Sequence, residues 1–160
     1  PVTLPTSLKM LVGWTKEKAD TSSFVSSVTH TRTQAEKDAY YQQFLKQNTI
    51  ILNQLTTALT NEDTKAFLQG ITDNRALLLN FAKEMNIILE TPSLTKLCQI
   101  ALQENASAKT SGAGGGDCGI CFITKPQQEE TITTQWEKAG ILPLNLEIAP
   151  SKGAIRKELS

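Results

Sequence analysis

The sequence predicts an α+β fold, four short strands with helices packed on one face of the sheet. Two segments alternate apolar and other residues with the period of a strand, one near each end. Between them lie long stretches with helical spacing. The order is one strand, a block of helices, two strands, a helix and a strand. Parallel βα units would instead need strands alternating regularly with helices.

Leu8, Met10, Val12 and Trp14 alternate with Lys9, Leu11 and Gly13 and predict the first strand. Residues 15–33 are rich in Lys, Ser and Thr, with a short helix possible around Phe24 to Val28. Thr33-Gln34-Ala35-Glu36 has the form of a capping box. A long helix follows, with Tyr40, Phe44, Ile51, Leu55 and Ala58 on one face. Thr60 and Asn61 offer a turn and a new N-cap ahead of Glu62 and Asp63, whose charges suit a helix start. The second long helix carries Phe67, Ile71, Leu78, Phe81 and Met85 on one side, and the short link implies an antiparallel hairpin. Gly70 inside it costs about 1 kcal/mol relative to Ala.

Thr91-Pro92 is a helix start, because proline at the first position gives up only an amide with no partner. Leu94, Leu97, Cys98 and Ala101 continue that helix, and Ala106 to Lys109 form a short strand. Cys118 to Thr124 is apolar and β-leaning. A helix with Ile132, Trp136 and Ala139 on one face stops at Gly140. The clearest strand signal is last: Leu142, Leu144, Leu146 and Ile148 alternate with Pro143, Asn145, Glu147 and Ala149. There is no internal repeat and no low-complexity linker, so residues 1–160 are expected to form one domain.

Sixteen basic residues balance sixteen acidic ones. That balance gives no field to attract nucleic acid or an anionic membrane, so an anion must be held locally. No apolar run approaches the roughly 20 residues needed to span a bilayer, and no export signal is visible. Cys98, Cys118 and Cys121 are too few for a disulfide framework, and the expected location is cytoplasmic. The chain opens at Pro1 without an initiator methionine, which suits a processed or truncated protein better than a complete gene product.

The chemistry is concentrated in one place. Five of the nine residues from Ser111 to Gly119 are glycine, against nine in the whole chain, so packing does not account for the stretch. Ordering it is entropically costly. In return, consecutive amides without Cβ atoms can turn inward and form a nest for an anion, phosphate above all. Ser111 adds a hydroxyl and Lys109 a nearby positive charge. Asp117 can cap the following turn, bind a cation such as Mg²⁺, or orient a neighbour. Gly114, Gly116 and Gly119 satisfy G-x-G-x-x-G, but a dinucleotide fold needs a helix next, and Ile120-Cys121-Phe122-Ile123 reads as a strand. No Gly-Lys-Ser or Gly-Lys-Thr completes a Walker loop. A flexible linker would carry polar residues on both sides.

Other candidates read as structural. Cys118 and Cys121 form C-x-x-C, yet residues three apart on a strand point to opposite faces, and no second pair completes a zinc site. His30, the single histidine, lies in a polar Thr-rich stretch. Trp14 and Trp136 read as core anchors, Glu129 and Glu130 as exposed charges, and Lys65 and Arg75 as a solvated helix face.

The segment from Lys109 to Ile120, Lys-Thr-Ser-Gly-Ala-Gly-Gly-Gly-Asp-Cys-Gly-Ile, resembles the third conserved motif of the phosphomevalonate kinases. These belong to the superfamily of galactokinase, homoserine kinase and mevalonate kinase. Leu11-Val12-Gly13-Trp14-Thr15, followed by Ala19, Thr21 and Ser22, resembles the strand and loop that open the second domain of the same enzymes. The two matches stand in the right order and spacing, so the resemblance covers essentially the whole chain. Lys16, Glu17 and Lys18 depart from the smaller or apolar residues usual there.

The resemblance implies a ferredoxin-like C-terminal domain. It implies that the complete enzyme transfers the γ-phosphoryl group of Mg-ATP to phosphomevalonate, giving diphosphomevalonate and ADP in the mevalonate route to isoprenoids. In that family the nucleotide-phosphate loop, the catalytic aspartate and a lysine lie in an N-terminal domain, and nothing like that loop exists here. This chain is therefore expected to hold no catalytic residue and no metal ligand, to be inactive alone, and to partner the missing N-terminal domain. Its phosphate- or substrate-binding residues are expected to be Ser111, Gly112, Ala113, Gly114, Gly115, Gly116 and Asp117, with Lys109, Thr21, Ser22 and Arg75 as further candidates. Another kinase or decarboxylase of the superfamily, or a stand-alone phosphate-binding module, are the alternatives.

Overall fold

The computed structural model describes residues 4–18, 33–112 and 114–146. In order they form β1 (Lys9–Trp14), α1 (Gln34–Thr60), α2 (Thr64–Met85), α3 (Pro92–Gln103), β2 (Ser107–Thr110), β3 (Cys118–Ile123), α4 (Pro126–Lys138) and β4 (Leu142–Leu144). The strands make one sheet in the order β2-β3-β1-β4, with every pairing antiparallel. The helical connection from β1 lands on β2, and β3 then fills the space between them. This is the split βαβ arrangement of the ferredoxin-like α+β fold that the sequence implies.

Local signals set most boundaries. Thr33 accepts from the Glu36 amide while the Glu36 carboxylate accepts from the Thr33 amide at 2.7 Å, so the capping box starts α1. Thr91 caps α3 with Pro92 in its first turn. The start of α2 differs from expectation. Asn61 closes α1, and the cap is Asp63, whose side chain accepts from the Ala66 amide at 3.0 Å. Glu62, at φ 55°, makes the left-handed turn that shifts the cap two residues along.

Successive residues of a strand point to opposite faces, and the core divides accordingly. Leu11, Cys121 and Ile123 join Leu97, Cys98, Ile132, Trp136 and Ile141 under α3 and α4. Leu8 and Phe122, with Met10 and Ile120 beside them, join Leu55, Ala58, Phe67 and Ile71 of the α1–α2 hairpin. The rings of Phe67 and Phe122 meet edge to face with centroids 5.0 Å apart. The sequence places all the helices on one face; instead α3 and α4 cover one face and the long hairpin covers the other, because both parities of the central strands carry apolar side chains. Gly70 allows that hairpin to close, since a Cβ there would lie 2.7 Å from Leu55 Cδ2.

Two readings change in three dimensions. Trp136 is fully buried and donates its indole N–H to the Leu97 carbonyl at 3.1 Å, whereas Trp14 is 37% exposed at the end of β1 and is not a core anchor. The last strand is short: β4 pairs with β1 over three residues, and Leu142 and Leu146 stay exposed. Cys118 and Cys121 part as expected, the first half-buried and the second sealed in the core. The possible helix around Phe24 to Val28, His30, Thr21, Ser22, Ala113 and the end of the last strand, Glu147 to Ala149, lie outside the described residues.

Candidate functional site

The glycine-rich segment joins β2 to β3 at the end of the sheet where β1 finishes. Its shape needs glycine. Gly112, Gly114, Gly115 and Gly116 have φ values of 73°, 77°, 78° and 132°, and Asp117 follows at 65°. These lie in the left-handed region, where a side chain is costly. At Gly114 a Cβ would also collide with the Leu89 carbonyl oxygen.

Three loop amides are spent on the scaffold. Ser111 N–H donates to the Cys118 carbonyl at 2.9 Å, Gly115 N–H to the Leu89 carbonyl at 2.8 Å, and Asp117 N–H to the Glu17 carbonyl at 3.0 Å. Among the described residues, the amides of Gly112, Gly114 and Gly116 make no such bond. Pinned donors therefore interleave with donors that make no backbone hydrogen bond among the described residues, so the loop's shape can be held without using all of its amides.

The end of β1 clamps the far side. Thr15 is buried, and both its amide and its hydroxyl donate to the Asp117 carbonyl at 2.8 Å. Glu17 accepts from the Ser93 hydroxyl at 2.7 Å through one carboxylate oxygen, while the other is buried without a hydrogen-bond partner among the described residues. Cys118 Sγ–H donates to the Asp117 carboxylate at 3.6 Å. Lys109 is half-buried with its ammonium donating to the Thr110 carbonyl at 3.1 Å. Burial lowers its pKa from the ordinary lysine value, as expected of a cation only partly compensated.

Arg75 is on α2 and faces a carboxylate. Its Nε and Nη2 donate to the two oxygens of Glu90 at 2.7 and 2.8 Å, a bidentate pair. The Glu90 side chain is 3% exposed and also accepts from Thr95 Oγ1 at 3.3 Å and from Cys98 Sγ at 3.9 Å. The Glu90 hydrogen bond raises the Arg75 pKa further, and burial pushes the Cys98 thiol up to about 12. The described candidates from Lys109 to Asp117 thus share one loop, while Arg75 reaches that region through the α2–α3 connection. Sequence reasoning missed Glu17, Leu89 and Glu90. Leu89 acts through its carbonyl, which no side-chain motif marks. A cavity of about 290 Å³ bordered by Lys9, Glu129, Glu137 and Leu146 lies toward the other end of β1, away from the glycines.

A two-layered ferredoxin-like sheet with a glycine loop between its edge strand and β3 agrees with the family comparison: residues 55–142 match the model for the C-terminal domain of GHMP kinases, and the chain belongs to that family. Over 144 residues it is 38% identical to a phosphomevalonate kinase of Streptomyces sp. (strain CL190), a match covering 89% of this chain and 38% of that enzyme. The Streptococcus pneumoniae phosphomevalonate kinase in complex with phosphomevalonate and AMPPNP superposes with a TM-score of 0.68 at 30% identity, over 89% of this chain and 39% of the other. A Lin0012 protein from Listeria innocua gives 0.74 at 28% identity, over 91% and 40%. The chain thus spans well under half the length of these relatives.

Proposed function

We propose that this chain is the C-terminal half of a phosphomevalonate kinase, an enzyme that moves the γ-phosphoryl group of Mg-ATP onto phosphomevalonate and releases diphosphomevalonate and ADP. The observation that carries this reading is the 38% identity to the Streptomyces enzyme, sustained over 89% of the chain. Residues 1–160 serve in it as one domain, completed by an N-terminal half that brings ATP and Mg²⁺. Among the described residues no three His, Cys, Asp or Glu side chains gather into a group that could hold a metal ion.

Phosphoryl transfer asks mainly for positioning and neutralisation of charge. The open amides of Gly112, Gly114 and Gly116 and the Ser111 hydroxyl donate to a phosphate group, most simply that of phosphomevalonate. Lys109 supplies positive charge beside them, and Asp117, clamped by Thr15, orients the loop's exit. By the family resemblance, Ala113 belongs to the same phosphate-binding segment, and Thr21 and Ser22 are the proposed source of further hydroxyl contacts. The pinned bond from Gly115 fixes the spacing of its neighbours, so little ordering remains to be done on binding. Trp14 and Leu142, paired across β1 and β4 beside the loop, meet the N-terminal half. Among the described residues no helix is long and apolar enough to cross a membrane.

The test uses the complete enzyme. Gly114→Val forces a β-branched residue into φ 77° against the Leu89 carbonyl, and the KM for phosphomevalonate should rise at least about tenfold. An unchanged KM would remove the loop from the phosphate site. Phosphomevalonate should be turned over in preference to mevalonate, diphosphomevalonate and homoserine. Preference for another of these would move the chain to a different enzyme of the superfamily, and binding of phosphomevalonate without ATP turnover would make it a binding module.

A further inference from the structure

The part-buried pair of Arg75 and Glu90 has no place in the phosphate site, yet it stands one residue from it. Leu89 O belongs to the peptide unit that joins Leu89 to Glu90. That oxygen accepts the Gly115 amide at 2.8 Å and closes off any side chain at position 114. The side chain that fixes the next residue is held from two helices at once, by Arg75 of α2 and by Thr95 and Cys98 of α3. Rotation of the connection is thereby restrained at the carbonyl on which the loop hangs.

We infer that Arg75 and Glu90 are a positioning pair: they set the Leu89 carbonyl, which pins Gly115 and so holds the neighbouring open amides of Gly114 and Gly116 in place for the phosphate. This rests on the reading of the loop as a phosphate site. It gives Arg75 a role through Glu90 and the backbone. Guanidinium geometry matters to it, because a fork meets both carboxylate oxygens and an ammonium group does not.

Removing one partner strands the other in a buried place and can unfold the protein, whereas replacing both with apolar residues of similar volume is often tolerated. The decisive variant is therefore Arg75→Met/Glu90→Met in the complete enzyme, with Glu90→Gln and Arg75→Lys beside it. Three quantities are read: the KM for phosphomevalonate, the KM for ATP, and hydrogen exchange at the Gly115 amide. The double variant should keep its circular dichroism and melt cooperatively. Its Gly115 amide should exchange at least about tenfold faster, and its KM for phosphomevalonate should rise about tenfold while that for ATP moves less than about twofold. Glu90→Gln should shift the same two quantities in the same direction although Arg75 is intact, and Arg75→Lys should rescue only part of the loss.

Unchanged exchange at Gly115 in the folded double variant would overturn the positioning role. An unmoved KM in Glu90→Gln beside a raised one in Arg75→Lys would overturn it in favour of direct contact between Arg75 and the ligand. Faster exchange with an unmoved phosphomevalonate KM would leave the pinning intact and overturn the phosphate reading on which the inference rests.

Discussion

The two faces of the sheet are finished to different degrees. Under α3 and α4, Leu97, Ile123, Ile132, Trp136 and Ile141 are all sealed from solvent, and the one polar atom of Trp136 has its acceptor in the Leu97 carbonyl. On the other face the α1–α2 hairpin covers Phe122 and its neighbours, while Trp14 and Leu142 remain 37% and 40% exposed. A strand pair with apolar side chains left open beside the glycine loop is the kind of exposed patch on which an interaction surface is built. The first face is closed; the second leaves apolar surface open, which is the surface proposed to meet the N-terminal half.

The sharpest way to break this contrast is Trp136→Ala, which empties the filled face and leaves the Leu97 carbonyl without its donor. It should cost about 3–5 kcal/mol in urea unfolding of the chain. A loss below about 1 kcal/mol would mean that the face collapses readily and is not close-packed. Next comes Gly119→Ala, on the same face, where a Cβ would meet Leu97 Cδ2 at 2.7 Å. Overpacking of this kind should cost about 1–3 kcal/mol. Trp14→Ala probes the other face. In the isolated chain it should cost under about 1 kcal/mol, but about 2 kcal/mol or more in the complete enzyme. Equal effects in both would deny that the open face is an interface.

The smallest effect concerns Lys109. Burial lowers its pKa below the ordinary 10.5, so the unfolded chain holds this proton more tightly than the folded one. The stability difference between the natural chain and Lys109→Met should therefore favour the natural chain more as pH rises toward 10.5, and lose that gain as pH falls through the depressed folded value. Paired urea titrations across the alkaline range would show the trend, and a flat difference would place Lys109 in solvent.

Much of the fold was legible because its signals are local. Thr33 and Glu36, Thr91 and Pro92, and the alternation in β1 each act within a few residues of where they are read. The glycine loop was legible for the same reason, as a composition that packing does not explain. What was not legible depends on distant partners. Gly70 reads as a weak point in a helix until Leu55 of the neighbouring helix is seen against it. Arg75 reads as a solvated charge until a carboxylate fifteen residues away is found facing it. The alternation of Leu142, Leu144 and Leu146 promises a buried face, yet Leu142 and Leu146 are open, because β4 pairs with β1 over only three residues and no described element packs over these two side chains.

The central claim is that pinned amides hold open ones for a phosphate. Its most direct test is a titration of the ¹⁵N-labelled complete enzyme with phosphomevalonate, followed by amide shifts. The account predicts large shifts at Gly112, Gly114 and Gly116 and smaller ones at Ser111, Gly115 and Asp117, whose N–H groups stay on their carbonyls. Saturable binding that leaves all six amides unmoved would contradict it.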